Sequence, residues 1–362
     1  MSGLFGIVSN KDCVETLFYG IDYQTHLGTQ RAGMAVLGKK FHRAIHNIST
    51  SQFKSKFIEE LPKMSGKKGI GVISDLNPQP IIISSQFGDF AIATTGLLRN
   101  KKKLVSEILS NGGSFSEMSS GEINPTEIVG KIIASKKGIE EGINYFFANL
   151  KGSISLLILS KDGVYAARDI MGRTTLAIGK KDGERVIASE TCAFPNLGFK
   201  TERQLLPGEI ILLKRKGLKR LGKINGEGKT CSFLWIYTGY PASTYEGVSV
   251  EIVRERCGAN LARADKKEGL KVDFVTGVPD SGVAHGLGYA QKYKIPYRRA
   301  IVKYSPGYGR SYTPPSQKIR DQVAKMKLIP IAEVVEGQKI VICDDSIVRG
   351  TQLKNQVIEK LW

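Results

Sequence analysis

The sequence predicts a layered α+β domain over residues 1–222 and an α/β domain over residues 223–362. Three observations carry this expectation. Residues 1–222 alternate short apolar, β-branched runs with Gly and Asp turns and hold only a few helical stretches, the pattern of sheets layered with helices. Residues 222–229, Gly-Lys-Ile-Asn-Gly-Glu-Gly-Lys, are polar and Gly-rich and read as a boundary. Beyond them, apolar runs lead into polar loops and then into apolar residues at helical spacing, the repeating unit of an open α/β sheet.

Taken in order, Gly3–Ser9 is a strand, and residues 12–27 have helical spacing with Asp12 as candidate N-cap. Met34–Val36, Gly69–Ile73, Ile81–Ser84 and Phe90–Ala93 read as strands, and Thr126–Ala134 and Ile139–Leu150 as helices. Ser153–Leu159, Val164–Ala167, Leu176–Ile178, Val186–Ser189 and Glu209–Leu213 are further strands. In the second domain Val250–Ala262, with Arg254 and Arg256, is helical. Val272–Val278 is a strand running into Pro279-Asp280-Ser281-Gly282 and a helix over Ala284–Tyr293, and Tyr297–Val302 is a strand. Ile340–Cys343 reads as a buried strand, after which Leu353, Val357, Ile358 and Leu361 recur at helical spacing.

The formal net charge of +19, from 53 Lys and Arg against 34 Asp and Glu, would admit a nucleic-acid binder. The basic residues are spread out, however, and the runs Lys101–Lys103 and Lys214–Arg220 lack interleaved aromatics, so nucleic acid is not the expected partner. No apolar run approaches the length of a membrane span, and no basic region precedes a hydrophobic stretch at the start. Cys13, Cys192, Cys231, Cys257 and Cys343 are few, odd in number and scattered, which fits a reducing, cytoplasmic compartment.

The most specific chemistry lies in residues 339–352. A strand ends in two carboxylates, Asp344 and Asp345, followed by Ser346, Ile347, Val348, Arg349, Gly350 and Thr351 and then a helix. Backbone N–H groups at a helix start bind phosphate, the two hydroxyls add donors, and Gly350 allows close approach. Paired carboxylates at the mouth of an anion site suit a sugar phosphate, whose hydroxyls they accept or whose Mg²⁺ they hold through water. The run resembles the 5-phosphoribosyl pyrophosphate (PRPP) motif of type I phosphoribosyltransferases, in the Asp-Asp-Ser-Ile-Val-Arg-Gly-Thr form of the amidophosphoribosyltransferase family. That resemblance implies a PRPP site with Mg²⁺ at Asp344 and Asp345.

The same family is matched elsewhere. Val-Pro-Asp-Ser-Gly over residues 278–282 resembles its pyrophosphate loop, which would give Asp280, Ser281 and Gly282 to PRPP. Residues 303–320 resemble its catalytic lid, matching at Lys303, Gly309, Arg310, Gln317 and Arg320. The resemblance makes Lys303 and Arg310 lid cations for the leaving pyrophosphate and adds Gln317 and Arg320 to the PRPP site. Cys231 stands where some members place one ligand of an iron–sulfur cluster, but the other ligands lie beyond Trp362, so no cluster is expected. The family continues past this point, so the resemblance makes the α/β domain truncated, either in a fragment or with a homo-oligomeric or other partner covering its edge.

Toward the N-terminus, Ser2-Gly-Leu-Phe-Gly-Ile-Val, His26-Leu-Gly28, Ala32-Gly33, Ala167-Arg168-Asp169, Ser189-Glu190-Thr191-Cys192-Ala193-Phe194 and Pro207-Gly208-Glu209 resemble the class II glutamine amidotransferase domain. That domain is an N-terminal-nucleophile fold of four layers, αββα. The family's nucleophile is a cysteine; Ser2 stands in its place, exposed as a terminal hydroxyl if Met1 is removed. Ser74 replaces the arginine that takes the glutamine carboxylate, Thr95 the oxyanion-hole asparagine, and Pro125 the acid for the glutamine amine. One lost oxyanion donor costs roughly 10²–10³ in rate, and the other losses should abolish glutamine binding. Cys13, Cys192 and His26 are expected to be core residues rather than catalytic ones.

The resemblance therefore implies a protein that binds Mg²⁺–PRPP and forms 5-phosphoribosylamine and pyrophosphate with ammonia rather than glutamine, as in the first step of purine synthesis. A regulatory protein that binds PRPP or purine nucleotides without turnover is the alternative. A basic nucleic-acid-binding protein on an inherited fold is the weaker one.

Overall fold

The alternating apolar runs of residues 2–221 pair into two antiparallel sheets. These sheets belong to a computed structural model that describes residues 2–75, 77–119, 121–215, 217–222, 226–304, 328–347, 357–358 and 361. The chain divides into two units, Met1–Cys231 with Tyr245–Gly247, and Ser232–Thr244 with Val248–Trp362.

In the first unit the elements follow in the order β1 (Ser2–Val8), α1 (Val14–Asp22), β2 (Arg31–Leu37), β3 (Phe41–Asn47), α2 (Phe53–Phe57), β4 (Lys68–Ser74), β5 (Ile81–Ile83), β6 (Phe90–Leu98) and α3 (Lys101–Ser110). A small ladder of β7 (Met118–Ser119) with β8 (Glu122–Ile123) precedes α4 (Pro125–Ala134), α5 (Ile139–Asn149), β9 (Gly152–Ser160), β10 (Gly163–Arg168), β11 (Ala177–Lys181) and β12 (Glu184–Ala188). Then come α6 (Phe194–Leu197), β13 (Lys200–Gln204), β14 (Ile210–Lys214) and β15 (Gly217–Leu221). One sheet has the order β13-β11-β12-β1-β4-β2-β3, the other β15-β14-β10-β9-β6-β5.

Side chains alternate between the faces of a strand. Leu4 and Val8 of β1 enter an apolar layer between the sheets with Ile70, Val72, Ala91, Ala93, Leu157 and Leu159. Phe5 and Ile7 point the other way, against Leu17, Phe18 and Ile21 of α1. On the second sheet, Ile92, Leu156 and Ile158 pack outward against Ile128 and Ile132 of α4 and Ile143 and Phe146 of α5. Both sheets are therefore covered on both faces, which is why their central strands read as near-continuous apolar runs.

Two differences from the sequence-based expectation have plain causes. Strands β3, β13 and β15 give no strand signal in the sequence; each lies at a sheet edge and carries polar or charged residues, as edges do. The helix expected over residues 12–27 stops at Asp22 and resumes as one 3₁₀ turn, Thr25–Leu27. Asp12 does bond the helix start, through Oδ1 and the Val14 N–H at 3.0 Å.

In the second unit α7 (Val250–Glu268) is capped by the Ser249 hydroxyl, which accepts from the Ile252 N–H, and ends at Gly269 with φ +71°. Strand β16 (Phe274–Gly277) pairs in parallel with β19 (Ile340–Cys343), register Phe274–Ile340 to Gly277–Cys343. Between them lie α8 (Val283–Tyr293), the antiparallel pair β17 (Ile301–Lys303) and β18 (Leu328–Pro330), and the short α9 (Ala332–Val335). Helices α7 and α8 meet backbone to backbone: a Cβ on Gly258 would fall 1.8 Å from the His285 carbonyl oxygen, and one on Gly288 1.9 Å from that of Glu255. Of the helix expected near the C-terminus, Leu353 lies outside the described residues, and Val357, Ile358 and Leu361 are described.

Candidate active site

Parallel pairing of β16 with β19 ends both strands at one level, so the loops that follow them meet. The Val278 N–H donates to the Cys343 carbonyl at 2.9 Å. A Cβ on Gly282 would stand 2.0 Å from that same oxygen and 2.7 Å from the Val278 nitrogen, so the crossing admits only glycine. Ser281 Oγ donates to Asp344 Oδ1 at 2.7 Å, and the Asp345 N–H donates to the same oxygen at 2.9 Å. Ser346 Oγ donates to Asp345 Oδ1 at 3.1 Å, and Ile347 is exposed beside it. Lys303 Nζ, at the end of β17, donates to Asp280 Oδ2 at 2.8 Å.

The structure thus brings together Asp280, Ser281, Gly282, Lys303, Asp344, Asp345 and Ser346 from three strand ends. Arg310, Gln317, Arg320, Val348, Arg349, Gly350 and Thr351 lie outside the described residues.

The electrostatics centre on Asp345. Burial and the negative charge of Asp344 push its carboxyl up from an ordinary 3.8 to about 6, against the bond from Ser346. Arg254 acts the other way. It is buried in α7, with Nε and Nη2 donating to the Trp235 and Gly239 carbonyls at 2.9 Å each, and its charge favours an ionised Asp345. The sequence shows Arg254 only as one of two arginines on a helix; a buried charge under the acids is visible only in three dimensions. His285, beside Ser281, is held below its ordinary value by burial, and Arg254 adds to that.

Two adjacent acids, one reluctant to ionise, suit a divalent cation, whose charge would offset the repulsion between them. Among the described residues no group of three or more His, Cys, Asp or Glu is placed to hold a metal. A site offering two carboxylates fits Mg²⁺, which keeps several waters and takes further oxygens from its substrate.

A second polar cluster lies in the first unit. Ser2 and Ser74 are register partners in β1 and β4, and Thr95 Oγ1 donates to the Ser2 carbonyl at 2.8 Å. The hydroxyl at the expected oxyanion position is therefore bonded to the chain itself. Pro125 opens α4, where the Asn124 side chain accepts from the Thr126 N–H at 3.0 Å; Thr126 Oγ1 lies 2.6 Å from Thr94 Oγ1. His26 Nε2 is 2.9 Å from Glu190 Oε2, and Glu190 also accepts from the Tyr245 hydroxyl. Cys13 and Cys192 are buried, and burial pushes the Cys13 thiol up to about 12, far from a reactive thiolate.

The fold and these two clusters define a class: a glutamine-amidotransferase-like domain joined to a phosphoribosyltransferase-like domain. The glutamine amidotransferase domain family matches residues 69–196. The amidophosphoribosyltransferase of Methanocaldococcus jannaschii is 33% identical over 97% of this chain and 79% of its own length. That of Bacillus subtilis is 34% identical over 96% of this chain and 74% of its own. The solved structure of the B. subtilis glutamine PRPP amidotransferase complexed with ADP and GMP superposes with a TM-score of 0.87 at 31% identity, covering 99% of this chain and 78% of that one. The chain belongs to the amidophosphoribosyltransferase family. Among the described residues no helix is long and apolar enough to cross a membrane.

Proposed function

We propose that the second unit binds Mg²⁺–PRPP at the 280–282 and 344–351 loops and transfers its phosphoribosyl group to ammonia, while the first unit, whose fold we assign to the N-terminal-nucleophile class, does not hydrolyse glutamine. The observation that carries the first half is the Ser281–Asp344 hydrogen bond, 2.7 Å, which ties a small-residue turn to a carboxylate pair. Backbone N–H groups of the turn suit the pyrophosphate, and the acids suit ribose hydroxyls. Ammonia attacks C1, the bond from C1 to the pyrophosphate oxygen breaks, and its electron pair leaves with pyrophosphate. Lys303 is placed to offset the charge that builds there, with Arg310 assigned the same role by sequence. Mg²⁺, when bound through Asp344 and Asp345, would neutralise part of that charge. A place in purine synthesis is supported by the relatives, which are amidophosphoribosyltransferases, and by a second matching solved structure, that of the allosteric regulatory enzyme of purine biosynthesis.

The second half rests on Ser2, Ser74, Thr95 and Pro125 together, and on Thr95 being engaged by the Ser2 carbonyl. The test is pyrophosphate release from PRPP with ammonia or with glutamine as donor. Release with ammonia and none with glutamine is expected. Glutamate production that disappears in Ser2→Ala would overturn the second half. A nucleotide-binding role without turnover is the second reading, favoured by the ADP and GMP in the B. subtilis complex. PRPP binding with no pyrophosphate released from either donor would select it.

A further inference from the structure

Ser2, Ser74 and Arg31 stand side by side across three strands, because Ser74 of β4 is the register partner of Ser2 in β1 and of Arg31 in β2. Directly opposed residues project to one face, with Cβ atoms roughly 5 Å apart. That face is the one turned toward the second sheet: Leu4, Val72 and Ala35, each an even step along the same strands, belong to the layer between the sheets. Thr95 enters from the opposite sheet, alternating with Ala91 and Ala93 of the same layer, and reaches the Ser2 carbonyl. One end of the inter-sheet layer is thus polar, with hydroxyls from both sheets around a single guanidinium.

Arg31 is half-buried and, among the described residues, forms no ion pair or side-chain hydrogen bond. Asp75, its nearest acid along β4, accepts from the Thr29 N–H and hydroxyl at 2.9 and 3.2 Å. Across the second sheet, Ser153 lies on the same inward face, opposite Leu97, and its Oγ is buried with no partner among the described residues. A partly desolvated cation without a counter-charge and a buried hydroxyl without a partner are both costly, and an anion with a hydrogen-bonding body would offset both costs.

We propose that this end of the sandwich binds a small carboxylate of amino-acid size, held by the Arg31 guanidinium and flanked by the hydroxyls of Ser2 and Ser74. The guanidinium fork matches a carboxylate with two parallel hydrogen bonds, and a single positive charge is balanced by a single carboxylate. This alters the expectation from sequence: the cation absent at position 74 is supplied by the residue opposite it on the next strand. Binding here does not restore hydrolysis, because Thr95 remains bonded to the Ser2 carbonyl.

The inference does not rest on the phosphoribosyl reading. Its test is calorimetric titration of the whole chain with L-glutamine, L-glutamate, succinate and inorganic phosphate, in the wild type, Arg31→Lys and Arg31→Met. At least one of the three carboxylates should bind the wild type, at least tenfold more weakly Arg31→Met, and with intermediate strength Arg31→Lys. Thermal unfolding without ligand reports whether each variant is folded, and Arg31→Lys keeps the comparison should Arg31→Met fail to fold. The proposal is overturned if no carboxylate binds the wild type, if affinity is the same in the folded variants, or if phosphate binds more tightly than every carboxylate. PRPP titrated into the same wild-type preparation tests the other site separately.

Discussion

Replacing Asp344 and Asp345 together with Asn should weaken PRPP binding by about 100-fold or more and leave the second unit at least as stable. The loss in affinity follows from removing two charged acceptors, each worth roughly 1.5–3 kcal/mol when bonded, with 1.4 kcal/mol per factor of ten. The stability effect has the opposite sign. Asp345 is raised to about 6 by burial and by Asp344, so between its ordinary 3.8 and about 6 the folded carboxyl holds a proton that the unfolded one has lost. Stability therefore falls as pH rises through that window, and the penalty is complete above it. Asp345→Asn lacks the penalty and should unfold later than the wild type at pH 7–8, by on the order of 1 kcal/mol after allowance for solvent screening, with the gap closing toward pH 4. Calorimetry with PRPP and urea unfolding at the two pH values check both signs. Unchanged PRPP affinity in the double variant would remove these acids from the site.

Gly282→Ala should abolish PRPP binding and cost the second unit about 2–3 kcal/mol or more. The added methyl would sit 2.0 Å from the Cys343 oxygen and 2.7 Å from the Val278 nitrogen, and both are backbone atoms that cannot rotate aside. Overpacking of that kind typically costs 1–3 kcal/mol, and here it also strains the Val278–Cys343 hydrogen bond. The turn would have to move off β19, parting Ser281 from Asp344. Gly138→Ala is the matched control: nothing lies within 4 Å of its Cβ position, and the change should stay within about 0.5 kcal/mol. Urea unfolding and PRPP titration of both variants test this, and equal behaviour would mean that the turn tolerates displacement.

Features carried by contiguous residues are legible in the chain alone. The central strands β1, β4, β9 and β10 can be read because both their faces are covered, which forces unbroken apolar runs. The carboxylate pair and the Val-Pro-Asp-Ser-Gly turn can be read because each is one uninterrupted stretch at a strand end. Edge strands β3, β13 and β15 cannot, since solvent on one side lets polar residues such as Lys200–Gln204 mimic a loop. Which distant residues become neighbours is settled in three dimensions. Ser281 bonds Asp344 across 63 positions because β16 and β19 run parallel in one register. Arg254 influences Asp345 from a helix near the start of the unit. Arg31 comes to face Ser74 because two strands pair at that register and no other. Register and strand order are set by the packing of the whole core, so local composition carries no trace of these pairings.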